Sequence, residues 1–250
     1  MKCTPFRISY LAALSITEST KKIDAFTIGY LYDADNSKNI EEISRSPFTK
    51  EISNQFALGY RSGAAWFELI IHNESEADQF ILNFTEPFWT TLDLYDYKDK
   101  LWRVSKNGLK VPISDRNIQD SMPSFSIYIK PGQTKTYYVR GTTVSSHMGE
   151  FQLFTEREYY RPSRTSIAEA YNLYSSVLVF IMLLTGFLFF VMHERIYLYY
   201  IGYVLSFIVW INVQNEHYLY LGIPGWSDAL HAIGTLVVFF LYSLPMSCLT

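Results

Sequence analysis

The chain has only two cysteines in 250 residues, Cys3 and Cys248, and they lie at opposite ends. A structural disulfide between them is not expected, and neither belongs to a spaced group of residues that could bind zinc. Because extracellular domains can fold without disulfides, this scarcity leaves the cellular compartment open.

Sequence motifs of catalysis are also missing. The run His193–Tyr197 begins like the zinc-protease motif HExxH but has tyrosine in place of the second histidine, so two histidines cannot share a helix face. No glycine-rich phosphate loop follows a strand pattern, and no Gly-x-Ser-x-Gly nucleophile elbow is present. We therefore expect neither an enzyme nor a bound metal or cofactor. The formal charge of −3 shows no excess of basic residues of the kind that binds nucleic acid.

Charge almost disappears after residue 165, where Arg195 is the one basic residue of 21 and only four of the 24 acids lie. The most apolar stretch, residues 171–192, contains no charged residue. A helix over it would be roughly 33 Å long, enough to cross a hydrocarbon core of about 30 Å. We predict a transmembrane region over residues 161–250, with spans at about 171–192, 197–213 and 232–250.

The charges of the loops predict the orientation of these spans. Arg195 lies in the loop 193–196 between the first two spans, whereas the loop 214–228 has no Lys or Arg. Positively charged loops remain in the cytoplasm, so the N-terminal domain is expected outside it. Three arginines between residues 157 and 164 argue for the opposite orientation, but large domains are translocated largely regardless of charge.

Residues 23–160 show the pattern of an all-β sandwich or jelly roll. Short runs rich in aromatic and β-branched residues alternate with turn residues, and the crossover helices of a parallel sheet are missing. A short helix is predicted at Ile40–Ile43, capped by Asn39. The predicted strands are Ala65–Ile71, Phe80–Phe84, Thr91–Tyr95, Leu101–Val104, Phe125–Ile129, Thr136–Arg140 and Phe151–Thr155.

The first 22 residues allow two interpretations. Lys2 and Arg7 precede a short apolar run from Ile8 to Ile16, which is the shape of a short signal peptide. The run is at the short end for that role, and no clear small-x-small cleavage site follows it. The alternative is that this run forms a first strand of the β domain.

Four residues of the β domain are candidates for ligand binding: Trp66, Tyr95, Arg116 and Arg140. Aromatic side chains can stack on a ring, and arginine can hold anionic groups. Trp89 and Trp102 could serve in the same way. The structural alternative is strongest for Trp66, because its strand is apolar enough to belong to the core.

Polar and small residues inside the predicted spans are candidates for helix packing. Thr185 and Gly186 lie midway along the first span, and Asn212 lies within the second. Buried amides need partners and small residues let helices approach closely, so a specific helix contact is one interpretation. Ordinary packing is the other.

The order of several short motifs resembles the bacterial seven-transmembrane receptors with diverse intracellular signalling modules, including their jelly-roll extracellular domain. The matching segments run through most of the chain. Glu68 departs from the resemblance, because the family often has arginine there, and Thr185 stands about where the family often has asparagine. The segments are Ile28–Ile43, Trp66 with Asn73, Pro87, Leu92–Asp96, Arg116, Pro131–Gly132, Tyr137–Gly141 and Glu194–Tyr200.

This resemblance implies the sensory and membrane portion of a receptor in the bacterial inner membrane, with its N-terminal domain outside the cytoplasm. Family members have seven spans followed by a cytoplasmic cyclase, kinase or phosphatase, whereas this sequence stops in its third predicted span, so the output module is expected to be missing. The implied partners are a small-molecule or carbohydrate-like ligand, membrane lipid, and a homodimer partner or a signalling subunit. The alternative function is a membrane-anchored interaction or structural protein without signalling output.

Overall fold

The computed structural model describes residues 12–120 and 122–214. The chain divides into two compact units, Met1–Tyr160 and Arg161–Thr250. In the described residues the first unit is built from strands with a few short helical turns, and the second is helical.

The strands of the first unit are short and follow one another through turns. Its helical pieces are α1 (Ile40–Ile43), a 3-10 turn at Ile113–Asp115 and α2 (Glu156–Tyr159). The strands are β1 (Leu14–Ile16), β2 (Lys22–Ile23), β3 (Thr27–Asp33), β4 (Lys50–Ser53), β5 (Gln55–Tyr60), β6 (Ala64–Asn73), β7 (Gln79–Phe84), β8 (Thr91–Lys98), β9 (Leu101–Asn107), β10 (Ser124–Tyr128), β11 (Thr134–Thr142) and β12 (Ser146–Thr155).

These strands form two sheets. The larger sheet has the order β4-β3-β6-β11-β8-β9, with β1 paired in parallel to the end of β6. The smaller sheet has the order β10-β7-β12-β2, with β5 also paired to β12. Apart from that of β1, the pairings of the described strands are antiparallel. The prediction of an all-β, sandwich-like domain is confirmed.

The core lies between the sheets and is dominated by aromatic rings. Phe84 and Phe151 have ring centroids 4.7 Å apart, and those of Phe56 and Phe67 lie 4.8 Å apart. Trp89 packs edge-on against Phe84 at 5.7 Å. Such pairs stabilise a fold by about 0.5–1.5 kcal/mol each beyond the burial of apolar area.

Alternation along β6 divides its side chains between two environments. Phe67 and Leu69 point into the core, whereas Trp66 belongs to a second apolar cluster with Ile40 and Ile43 of α1. Successive residues of a strand face opposite sides of the sheet, so α1 covers the outer face of the larger sheet. That outer face is where three of the four candidate ligand residues lie.

Residues 1–11 of the candidate signal peptide lie outside the described residues. Leu14–Ile16 forms β1, which pairs with Ile71–Asn73 at the end of β6. Ile16 is fully buried in the core. For this part of the N-terminal run, the structure shows the strand alternative.

The second unit contains helix α3 (Pro162–Met192) and helix α4 (Arg195–Gln214), which pack against each other. Within the described residues one stretch, Leu173–Met192, is long and apolar enough to cross a membrane. The apolar part of α4, Arg195–Val209, is shorter than a span requires. The predicted third span, 232–250, lies outside the described residues, so three spans are not confirmed.

A fully buried histidine lies at one end of the core. The ring of His147 packs on Trp89, with centroids 5.1 Å apart, and neither ring nitrogen has a hydrogen-bond partner among the described residues. Burial lowers the pKa of His147 below its ordinary value of 6.5, and the positive charge of Arg61 lowers it further. The folded domain therefore disfavours the protonated form of this ring.

We expect His147 to make the domain less stable in acid. As the pH falls through about 6.5, the unfolded chain binds a proton more readily than the folded chain, so stability declines by at most about 1.4 kcal/mol per pH unit. His147→Phe removes this titration and keeps a ring against Trp89. Urea unfolding from about pH 7.5 to about pH 5 should show a shallower decline for the variant. Parallel declines would contradict this prediction.

Candidate functional site

The outer face of the larger sheet brings together Trp66, Tyr95 and Arg140. In the register of the sheet, Arg140 on β11 lies directly opposite Trp66 on β6 and, on the other side, opposite Asp93 on β8. Tyr95 follows Asp93 by two residues and therefore points to the same face. We call Trp66, Asp93, Tyr95 and Arg140, together with Asn36 from the adjoining loop, the outer-face site.

Arg140 is the central side chain of the outer-face site. Its guanidinium carbon lies 5.9 Å from the centroid of the Trp66 ring, a cation–π contact. Nη1 of Arg140 lies 3.9 Å from Oδ2 of Asp93, and Nη2 donates a hydrogen bond to Oδ1 of Asn36. The side chains of Arg140 and Asp93 remain 19% and 14% exposed, so a ligand can reach the pair from solvent.

Trp66 is the floor of this site and is not a surface platform. Its ring is fully buried and packs on that of Tyr95, with centroids 5.4 Å apart. The indole Nε1 has no hydrogen-bond partner among the described residues. Tyr95, which is half-buried, is the aromatic residue of the site that a ligand can touch.

The loop between β3 and α1 forms one wall of the site. The carboxylate of Asp33 accepts hydrogen bonds from the backbone N–H groups of Ser37 and Lys38, at 3.3 and 3.0 Å. Asn39 and Glu42 then close a reciprocal capping box at the start of α1. These bonds fix the loop that presents Asn36 to Arg140.

Burial and charge act against each other at the carboxylate of the site. Burial raises the pKa of Asp93, while the positive charges of Arg140 and Lys106 lower it. Burial also raises the pKa of Tyr95, with the nearby charge of Asp93 adding to the effect. The site therefore presents a phenol, a carboxyl group and a guanidinium side by side, a set that can donate to and accept from a hydroxylated ligand.

Glu68, the departure from the family pattern, is buried beside this site. It is 1% exposed, and its Oε1 accepts a hydrogen bond of 3.1 Å from the hydroxyl of Tyr138. A buried carboxylate is tolerated only with such partners. At this position the chain thus has an acid built into the packing of the outer face.

Arg116 does not join the other candidates. It is 4% exposed and donates to three backbone carbonyls in the segment from residue 108 to residue 120. Nε donates to Val111 at 3.1 Å, Nη1 to Asp120 at 2.8 Å and Nη2 to Gly108 at 2.9 Å. The residue holds a loop together, and its role in ligand binding stays a prediction.

Asp93 and Asn36 are the members of the site that the sequence did not single out. Asp93 could have been found from the alternation in Leu92–Asp96, which places it on the same face as Tyr95. No local signal identifies Asn36, because its contact with Arg140 joins residues 104 positions apart.

The candidates for helix packing lie in the second unit. Thr185 is 6% exposed, and its hydroxyl donates a 2.8 Å hydrogen bond to the carbonyl of Ile181, one turn earlier. A Cβ added to Gly186 would meet no atom within 4 Å among the described residues. Asn212 lies in α4, but its side chain is outside the described part of the structure. A specific helix contact of these residues stays a prediction.

Comparison with known proteins places the β domain in a family. A family 35 carbohydrate-binding module from Clostridium thermocellum is similar at 6% identity and a TM-score of 0.24, covering 54% of this chain and 99% of its own, and a likeness at this level supports no conclusion. No curated protein matches the chain. The model of the 7TMR-DISM extracellular 2 domain matches residues 27–155, just over half of the 250 residues. The chain therefore belongs to the 7TMR-DISM extracellular 2 family.

Proposed function

We propose that the β-sandwich is the ligand-binding sensor of a receptor in the bacterial inner membrane, and that the outer-face site is where the ligand binds. The family is one of extracellular domains, so residues 27–155 form an outside-facing domain of a membrane protein. The observation that carries the proposed site is the position of Arg140, which is held between Asp93, Trp66 and Asn36 and remains partly exposed.

The charges around the site favour an uncharged, hydroxylated ligand such as a carbohydrate. Among the charged side chains of this face that reach solvent, Arg140 and Lys106 are balanced by Asp93 and by Glu41, whose charge acts on Tyr95. A balanced set gives little net attraction for an ion, but it offers hydrogen-bond donors and acceptors in alternation. The half-buried ring of Tyr95 adds an apolar surface for the face of a sugar ring.

Signalling would follow from a shift between two arrangements of the membrane helices. A ligand changes such an equilibrium only by as much as it prefers one arrangement over the other. The chain would then act by binding and not by catalysis. Its output would come from a signalling module or from a partner subunit.

We expect Arg140→Met to weaken ligand binding by at least about tenfold, because hydrogen bonds from a charged group contribute about 1.5–3 kcal/mol. Methionine keeps an apolar side chain over Trp66 and removes the guanidinium. The measurement is calorimetry of the full chain, in a detergent without a sugar headgroup, against a panel of glycans and small metabolites.

Arg103→Met is the matched control. Arg103 lies on β9, is exposed and pairs with Asp99 at 3.1 Å, outside the outer-face site. This variant should bind as the unmodified chain does. A flat response of the unmodified chain across the panel would contradict direct sensing, and equal losses in both variants would contradict the proposed site.

An exposed edge strand favours the second candidate function, that of an interaction protein. Strand β9 ends the larger sheet, and its Leu101 and Val104 are 69% and 43% exposed. Edge strands with exposed apolar residues can pair with another chain, either a second copy or a signalling subunit. Co-purification of a second membrane protein that Val104→Lys abolishes would favour this function.

A further inference from the structure

A cavity lies on the outer face of the smaller sheet, away from the outer-face site. Its volume is about 210 Å³, and it is partly open to solvent. Buried Ile81 and Ile118 form its floor. Its rim includes Gln79, Asn117, Glu156 and Tyr160.

One wall of this cavity is held in place by hydrogen bonds. The hydroxyl of Tyr159 lies 2.6 Å from Oδ2 of Asp120 and 2.8 Å from Oγ of Ser124. The ring of Tyr160 packs edge-on against that of Tyr159, with centroids 5.1 Å apart and planes at 85°. Tyr160 is nevertheless 60% exposed, so a fixed aromatic surface faces solvent beside the cavity.

The polar groups of the rim favour a positively charged ligand. Glu156 is the charged residue of the lining, and among the described residues it forms no ion pair. The amides of Gln79 and Asn117 supply carbonyl oxygens that can accept hydrogen bonds. A carboxylate, amide oxygens and an aromatic ring are the groups that bind an ammonium ion.

We propose that this cavity binds a small organic ammonium ion, such as an amino alcohol or a diamine. The ammonium group lies between Glu156 and the ring of Tyr160, and the carbon chain covers Ile81 and Ile118. A cavity of about 210 Å³ is large enough for a molecule of this size.

The cavity is lined by residues of the segment that leads into helix α3, so a bound ligand can act on the start of the membrane region. Glu156 is the first residue of α2, Tyr160 directly follows its last residue, and α3 begins at Pro162, two residues after Tyr160. A bound ammonium ion therefore contacts both ends of the segment that leads into the apolar helix. This site is independent of the outer-face site.

The test uses putrescine and its uncharged analogue 1,4-butanediol with the full chain in detergent. Calorimetry should detect putrescine at millimolar concentrations and no binding of the diol. Glu156→Gln should weaken putrescine binding by about two- to fivefold, as expected for a charge pair at a partly exposed site. Tyr160→Leu should weaken it by about two- to fivefold through loss of the cation–π contact. Glu51→Gln, the same change on exposed β4, is the control and should have no effect.

Hydrogen exchange identifies the location of binding. Putrescine should slow amide exchange over residues 156–161 in the unmodified chain and in Arg140→Met, and should not do so in Glu156→Gln. Equal binding of the diol, undiminished binding by Glu156→Gln, or protection confined to other segments would each overturn the proposal. Loss of binding in Arg140→Met with retention in Glu156→Gln would assign the amine to the outer-face site instead.

Discussion

Gly149→Ala is expected to lower the free energy of unfolding of the β domain by about 3–5 kcal/mol, through strain and overpacking together. Gly149 has φ +151°, a conformation that residues with a side chain rarely adopt. A Cβ at this position would lie 2.2 Å from Cζ of Phe84, a ring that is fully buried in the core. Neither β12 nor the ring can move without disturbing the aromatic packing.

Gly59→Ala separates the two causes. Gly59 also has a positive φ, +78°, but a Cβ there would meet nothing within 4 Å. Gly59→Ala should lower the free energy of unfolding by only about 1 kcal/mol, which is the strain of the backbone alone. Urea unfolding of the full chain in detergent, followed by tryptophan fluorescence, measures both variants. If the two variants lost similar amounts of unfolding free energy, the ring of Phe84 could move aside at little cost, and the core would be loosely packed here.

Much of the β domain is predictable from the sequence because its signals are local. All seven predicted strands are present, and the helix at Ile40–Ile43 has the predicted cap at Asn39, because alternation and capping each depend on a few neighbouring residues. Strands β2 to β5 were missed, and β1 lies in the run Ile8–Ile16, for which a first strand was one of two interpretations. Of these, β1 and β2 are the shortest, at three and two residues, and exist because a partner strand is available, which a local pattern cannot reveal.

Strand β3 shows how tertiary contacts can hide a strand from the sequence. Its Gly29 argues against a strand by propensity. In the sheet, a Cβ at Gly29 would approach the Cβ of Phe48 at 3.0 Å and that of Glu68 at 3.1 Å. The position therefore accepts only a very small residue because neighbours from other elements fill the space.

The outer-face site was predictable by residue type but not by arrangement. Residue type selected Trp66, Tyr95 and Arg140 one by one, and only the register of β11 between β6 and β8 brings them together. Their role in ligand binding stays a prediction. Arg116 has the same side chain as Arg140 but lies in the loop between β9 and β10, directly after the 3-10 turn at Ile113–Asp115. Its environment differs because the loop that surrounds it folds its own carbonyls inward, which depends on the loop conformation and not on the residue types.

Arg116→Met is expected to lower the free energy of unfolding by about 3–5 kcal/mol, because it leaves buried carbonyl groups without donors. The three carbonyls belong to Gly108, Val111 and Asp120. Loss of their hydrogen bonds to Arg116 therefore loosens the whole loop after β9. Arg116→Lys should recover part of the loss, since an ammonium group can reach some of these oxygens but cannot copy the planar fork. Urea unfolding of the full chain in detergent measures both.

The same variant distinguishes the two roles of Arg116. If the residue only holds the loop, ligand affinity of Arg116→Met at low temperature, where the variant is still folded, should equal that of the unmodified chain. If Arg116 contacts the ligand, affinity should fall while stability stays within about 1 kcal/mol, the usual range of a surface substitution. Arg116 is 4% exposed, and its guanidinium donates hydrogen bonds to three carbonyls, so few of its N–H groups are accessible to a ligand. We therefore expect unchanged ligand affinity in Arg116→Met.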